Sequence, residues 1–170
     1  MYMGHLAFAL AAKRLRPELG LAVLAGAVAL LDWVDALNGF LPSPLNQLAG
    51  QLIHTIPGAL ACAATVGLVT WVVGSTIDAL VLGGLVLSHL ATDWLTSDLD
   101  AWPRGPAIGL HLYQSRSLDF LLETTLLGIG WWLYRRSLPA DARWRWPSWA
   151  MLVLLIAFQA VFDFATRVGA

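Results

Sequence analysis

The residues of this chain best placed to do chemistry are His89 and Asp93, four positions apart in the segment LSHLATDWLTSDLD. In an α-helix such residues share one face, so an imidazole and a carboxylate at this spacing can bind one divalent cation. The residues before them are almost all apolar, and an ionisable side chain inside a membrane span costs about 2.5–3.5 kcal/mol. That cost favours a functional role. The alternative is that His89 and Asp93 pair only with each other or with a neighbouring helix.

The other apolar segments also carry isolated acids and histidines. These are His5, Asp32, Asp35, His54, Asp119 and Glu123. Mixed His/Asp/Glu ligation suits zinc, with manganese or iron as alternatives. A metal with an open coordination position activates water at neutral pH, and a spare carboxylate, Asp35 or Glu123, would serve as general base.

Each of these residues also has an explanation without a metal. Asp32 and Asp35 would form an exposed helix end, His54 would be an interfacial histidine, and His5 would be solvated near the terminus. Asp119 and Glu123 would stabilise the N-terminus of their own helix. The sequence leaves these alternatives open.

A polar loop at residues 97–117 offers candidate substrate contacts. Arg104 and Arg116 could hold a phosphate through charge-assisted hydrogen bonds, and His111 could face the substrate. Asp119, just after this loop, is a further candidate contact. Asp163 is expected to pair with Arg167, four residues later.

Composition defines the class of protein that positions these residues. Of 170 residues, 58% are hydrophobic and 12% charged, whereas soluble domains carry about 25% charge. We therefore expect an all-α, polytopic membrane helical bundle in a single domain over residues 1–170. The net charge of -1 and the lack of a large basic cluster argue against nucleic acid as a partner. The single cysteine, Cys62, cannot form an internal disulfide.

Hydrophobic segments predict a short N-terminal helix at 2–16 and about five spans. The spans are expected at 19–37, 53–74, 76–96, 118–134 and 147–168. Basic residues concentrate at Lys13–Arg16 and Arg135–Arg145, which the positive-inside rule places in the cytoplasm. The expected location is the inner (plasma) membrane, crossed several times.

This topology gives the ionisable residues a common depth. At 1.5 Å per residue, Asp32 lies about 21 Å above Glu18, His89 about 20 Å above Thr76, and Glu123 about 18 Å above Arg135. We therefore expect one layer of acids and histidines in the outer half of the membrane, opening to the extracytoplasmic side. One or two divalent cations would neutralise it.

The same residues carry a resemblance to a known family over about residues 3–135. The matching elements occur in order: MGHLAFAL, LLDWVD, HTIPGAL, LSHLATDWLTSD, the Trp102-Pro103 loop and LDFLLE. They resemble the YdjM-like inner-membrane metal-dependent hydrolases. The resemblance implies a hydrolase whose metal ligands are His5, Asp32, Asp35, His54, His89 and Asp93. The chain departs from the family at Leu31, where proline is usual, and at Thr55, where serine is usual.

A more distant resemblance concerns the order of ligand types. The series His, Asp, His, His-x3-Asp and x3-Glu is similar to that of zinc-dependent phospholipase C and the related nucleases, which cleave phosphodiesters. Asp119 stands where that pattern has a histidine, so the resemblance implies one or two metal ions rather than three.

The sequence thus predicts a membrane-embedded, zinc-dependent hydrolase acting on a phosphoester of a lipid or amphiphile. An ion, proton or small-solute transporter would use the same acids, but its polar path should continue to the cytoplasmic side. A non-catalytic scaffold would pair the acids with a partner subunit. The oligomeric state and the substrate are left open.

Overall fold

A computed structural model describes residues 3–38, 40, 52–97 and 99–166, with the backbone alone described at 166. The helices and strands lie in the following order. They are α1 (Leu6–Leu15), α2 (Leu21–Val28), α3 (Leu30–Asn38), α4 (Ile56–Val73), α5 (Thr76–Thr96), β1 (Leu99–Asp100), β2 (Ala107–Ile108), α6 (Arg116–Arg135) and α7 (Trp146–Ala160). A 3-10 turn, Leu112–Gln114, precedes α6, and a π-helical segment, Val161–Thr166, continues α7.

The two longest apolar helices in the middle of the chain begin at side-chain caps. Thr55 caps α4 by accepting a hydrogen bond from Gly58 N. Pro57, in the first turn, has no amide hydrogen that would need an acceptor. Ser75 caps α5 in the same way through Asp78 N, and Asp78 lies in the first turn, where a carboxylate favours the helix dipole. The predicted boundary between these two spans is therefore confirmed.

Three helices are long and apolar enough to cross a membrane. They are Ile56–Val73, Thr76–Thr96 and Trp146–Ala165. Helices α2 and α3 form a fourth candidate if they are one span, although they are bent by 62° at the break between them. The structure thus supports an all-α membrane protein with three or four spans, and the five predicted spans are not confirmed. Helix α6, which carries Asp119 and Glu123, is not among the candidate spans.

The loop after α5 contains the only strands among the described residues. Leu99 and Asp100 pair antiparallel with Ile108 and Ala107. The turn between them has Gly105 N donating to Trp102 O at 2.7 Å. Leu110 N donates to Trp94 O at 2.9 Å, which fastens the end of the hairpin to the last turns of α5.

Contacts divide the chain into two units. The terminal unit comprises the described residues up to Ala25 and from Leu112 onward, and the central unit is Gly26–His111. The expectation of a single integral domain stays a prediction. Glycines allow close helix contact in each unit. A Cβ at Gly130 of α6 would lie 2.3 Å from Ala7 O, and one at Gly83 of α5 would lie 3.2 Å from Ala63 O.

Candidate functional site

Four ionisable side chains from three segments converge in the central unit. His89 Nε2 lies 3.1 Å from Asp93 Oδ2 and 3.4 Å from Asp32 Oδ1. His54 Nδ1 lies 3.6 Å from the same oxygen of Asp93, and the two imidazole centroids are 5.8 Å apart. The predicted convergence of the segments that carry these four residues is therefore present within this unit.

The imidazole of His89 is oriented by the backbone. Its Nδ1 lies 2.9 Å from the carbonyl oxygen of Val28, and since that oxygen can only accept, Nδ1 carries the proton. Nε2 is then the nitrogen that faces the two carboxylates. A backbone carbonyl that fixes one ring nitrogen while the other faces outward is the arrangement seen around metal-ligating histidines.

Three of the separations between these polar atoms are close to those in a tetrahedral metal site. Ligand atoms about 2.0–2.1 Å from a zinc ion at tetrahedral angles are about 3.3 Å from one another. The three measured separations, 3.1, 3.4 and 3.6 Å, bracket this value. His89 and Asp93 therefore fit ligation of a divalent cation in chemistry and spacing, and Asp32 and His54 each lie next to one member of that pair.

Local sequence features hold each of these groups. His89 is fully buried and the Asp93 side chain is 12% exposed, both on α5, whereas Asp32 is half exposed near the start of α3. His54 stands just before the cap residue of α4, in a turn closed by Thr55 Oγ1 donating to Leu52 O. The cluster thus has a buried side on α5 and an accessible side at Asp32.

Three further predicted residues lie in the terminal unit, where His5, Asp119 and Glu123 are all buried. Glu123 Oε2 accepts a hydrogen bond of 2.8 Å from Gly4 N, which lies just ahead of α1. The dipole of this neighbouring N-terminus, rather than that of its own helix, therefore acts on the Glu123 carboxylate. Whether Glu123 is a base or a ligand stays a prediction.

The terminal unit also contains buried polar residues that sequence analysis did not select. Gln159 Oε1 accepts from Met3 N at 2.9 Å, and Gln159 Nε2 donates to Asp163 Oδ2 at 2.6 Å. Gln159 and Asp163 are fully buried. Asp163 was expected to pair with Arg167, which lies outside the described residues, so that pairing is untested.

The remaining candidates are more exposed. Asp35 is exposed and forms no hydrogen bond or ion pair with any residue that the structure describes, so its role as ligand or base stays a prediction. Arg104 and Arg116 are exposed, and His111 is partly buried. Arg104 and His111 have positive φ values of 60° and 51°, a left-handed conformation that costs a non-glycine residue about 1–2 kcal/mol.

A groove in the central unit is apolar and lies away from the cluster. It has a volume of about 650 Å³ and is lined on α5 by Leu87, Leu90, Ala91, Trp94 and Leu95. At 100° per residue, these positions point about 140° away from His89 and Asp93. The groove is therefore not an extension of the candidate metal site.

Comparison with protein-family models, with curated proteins and with solved structures finds no match to this chain.

Proposed function

We propose that this protein is a membrane-embedded, metal-dependent hydrolase that cleaves a phosphoester bond of a lipid or amphiphile. The observation that carries the proposal is the buried pair of His89 and Asp93 at 3.1 Å, a separation suited to one cation, with Asp32 and His54 next to it. Their position on or beside apolar helices supports a substrate that partitions into the bilayer. The side of the membrane on which the site opens, the extracytoplasmic one, is proposed from the distribution of basic residues.

Zinc is the cation that this set of nitrogen and oxygen ligands suits best, and three ligands drawn from His54, His89, Asp32 and Asp93 would leave the fourth position open for water. Bound there, a divalent metal would polarise the phosphoester and activate a water molecule. The chain's own contribution is to fix the His89 tautomer through Val28 O and to exclude water on the buried side of α5. Asp32 supports access from the other side because half of its side chain is exposed.

The same geometry has a competing explanation without catalysis. A protonated His89 would form a charge-assisted pair with Asp93 at 3.1 Å and a longer contact with Asp32 at 3.4 Å. Such a cluster would stabilise a scaffold subunit or form part of a proton path. The two explanations differ in metal content, which makes that quantity the decisive measurement.

The test is elemental analysis of detergent-purified protein with matched variants. We expect one or two equivalents of a transition metal in the wild type, loss of most of it in His89→Ala and Asp93→Asn, and retention in Asp100→Asn. Asp100 is an exposed acid in the same unit that takes part in no ion pair with a described residue. Hydrolysis of a bis-aryl phosphodiester and of phosphatidylglycerol should fall in parallel with metal content.

Two results would overturn the proposal. Metal-free protein that stays metal-free after incubation with Zn²⁺, Mn²⁺ or Fe²⁺ would favour the ion-pair explanation. Full metal content with no hydrolysis, together with proton or metal flux in liposomes, would favour a transporter instead.

A further inference from the structure

The segment that joins α6 to α7 encloses a positively charged site that the proposed hydrolase does not use. Four arginines occur there within eleven residues, Arg135, Arg136, Arg143 and Arg145, together with several tryptophans. All of them belong to the terminal unit. Glu123, the nearer acid of α6, lies twelve residues before Arg135, so the acids of that helix are at least about 18 Å from this end.

Arg135 is buried, at 4% exposure, in a box of indole rings. Its guanidinium carbon lies 3.6 Å from the ring centroid of Trp144, 4.5 Å from Trp131, 5.2 Å from Trp149 and 5.7 Å from Trp132. Cation–π attraction therefore holds the guanidinium in place. Rings attract the cation but provide no counter-charge, so the buried positive charge remains.

The hydrogen bonds of Arg135 are incomplete. Its Nε donates to Arg143 O at 2.9 Å, whereas Nη1 is buried without a hydrogen-bond partner among the described residues. No carboxylate of those residues pairs with any of the four arginines. The C-terminal dipole of α6 offsets only about half a unit charge. A buried guanidinium in this state is stabilised by an anion.

Space for an anion lies beside Arg135. A cavity of about 140 Å³ is lined by Trp132, Arg135, Arg136, Arg143 and Trp144. A water molecule occupies about 30 Å³ of liquid, so the cavity has room for a group of about four or five heavy atoms. Three of its five lining residues are arginines.

A second cavity adjoins the same segment. It measures about 260 Å³ and is lined in part by Tyr134, Arg145 and Ser148. Ser148 is 7% exposed, and its Oγ is buried without a hydrogen-bond partner among the described residues. It lies in the first turn of α7, which has no side-chain cap, so the dipole of that helix adds to the preference for an anion.

We propose that the α6–α7 segment binds a phosphate group, with Arg135, Arg136 and Arg143 as its charged contacts. Guanidinium groups bind phosphate oxygens through paired hydrogen bonds, which a halide cannot accept in the same way. Exposed Trp144 and Trp146 beside these arginines are typical of the interface between water and lipid. An anionic phospholipid headgroup is therefore the source that we expect, and free phosphate is the other source to be tested.

The experiment uses delipidated, detergent-purified full-length protein and follows tryptophan fluorescence and thermal unfolding. We compare mixed micelles of phosphatidylglycerol, mixed micelles of phosphatidylcholine, and inorganic phosphate. We expect phosphatidylglycerol to change the fluorescence of the tryptophan box and raise the unfolding temperature, with a much smaller effect of phosphatidylcholine. Arg136→Gln and Arg143→Gln should each weaken this binding about fivefold.

Arg14→Gln is the matched control, because it removes one exposed positive charge from the same unit without touching the cavity. Arg136 and Arg143 are used instead of the buried Arg135 because their exposed side chains should change without unfolding the protein. Equal weakening in Arg14→Gln, or no response to either phosphate source, overturns the proposal. A response to inorganic phosphate alone, lost in the same two variants, supports the phosphate site and rejects the lipid as its source.

Discussion

Glu123 has two separable properties, an oxygen that anchors the chain ahead of α1 and a negative charge available for chemistry. Gly4 N donates to Oε2 at 2.8 Å, and the residue is fully buried. A glutamine at this position keeps an acceptor oxygen but loses the charge, whereas an alanine loses both. Comparing the two variants therefore distinguishes an anchoring residue from one that also serves catalysis.

We predict that Glu123→Ala lowers the free energy of unfolding by about 1.5–3 kcal/mol, the range for buried hydrogen bonds to charged groups. Glu123→Gln should retain most of the stability and lose most of the hydrolysis. Thermal unfolding in detergent and a phosphodiesterase assay measure the two effects. Glu18→Gln, at an exposed carboxylate, is the control. Full activity in Glu123→Gln would leave the residue a purely structural role.

Arg104 allows a similar separation in the hairpin after α5. Pro103 and Arg104 occupy the central positions of the turn from Trp102 to Gly105, and the φ of 60° at Arg104 is one that type II turns usually give to glycine. We predict that Arg104→Gly raises the free energy of unfolding by about 1 kcal/mol, because the left-handed strain is relieved. Arg104→Gln keeps the strain and removes the charge. If Arg104 contacts a phosphate, both variants lose activity and only the glycine variant gains stability.

Some of the buried polar residues could be predicted from the sequence, and others could not. His89 and Asp93 were identified from helix periodicity, and the depth argument brought Asp32 and His54 to the same group. Gln159 was not found, because an uncharged amide in an apolar segment carries no pattern that predicts burial beside Met3. Asp35 lies about 60° around α3 from Asp32. Sequence spacing gives this angle but does not tell which of the two carboxylates faces a neighbouring helix.

Among the elements, the contact between α1 and α6 depends on Gly130. A Cβ there would lie 2.3 Å from Ala7 O, and backbone cannot move aside as a flexible side chain can. A Cβ at Gly128, two residues earlier on the same helix, would have no heavy atom within 4 Å apart from the backbone of its own helix. The two glycines therefore form a matched pair in one helix.

We predict that Gly130→Ala destabilises the protein by about 1–3 kcal/mol through overpacking. Gly128→Ala should be neutral or raise the free energy of unfolding by up to about 1 kcal/mol, because alanine favours helix. Thermal unfolding of both variants in one detergent gives the comparison. Equal stability of the two would mean that α1 does not pack closely against α6.

Element boundaries were predictable where capping residues occur and not elsewhere. Ser75 marks the start of α5 at the residue predicted, whereas Thr55 and Pro57 begin α4 at Ile56, three residues after the predicted start of that span. The break between α2 and α3 falls at Ala29, three residues after Gly26 in an apolar run without proline, whereas a single span was predicted over residues 19–37. The two-stranded hairpin was expected only as a polar loop, because its strands have two residues each.

For the whole molecule, the testable quantity is orientation in the bilayer. Cys62 is the single cysteine and lies in the candidate span α4, so Cys62→Ala provides a cysteine-free background. We predict that Asp141→Cys reacts with a membrane-impermeant maleimide only from the cytoplasmic side. Ala107→Cys should react only from the outside, as the positive-inside rule requires.

Labelling of sealed spheroplasts and of inverted vesicles gives the two measurements. Both positions are exposed, so access should depend on the membrane alone. Labelling of Ala107→Cys and Asp141→Cys from one common side would contradict the predicted topology. It would also remove the argument for an extracytoplasmic site, while the geometry of the four side chains would stand.

The carbonyl of Val28 links backbone shape to side-chain chemistry. In an unbroken helix, the carbonyl of residue 28 points along the axis toward the amide of residue 32. Here it lies beside the break at Ala29 and accepts from His89 Nδ1. A substitution that straightened this region would withdraw the acceptor that sets the proton on the ring. We therefore expect His89 and the helix break at Ala29 to be retained together among relatives of this chain, and a change at one should occur only with a change at the other.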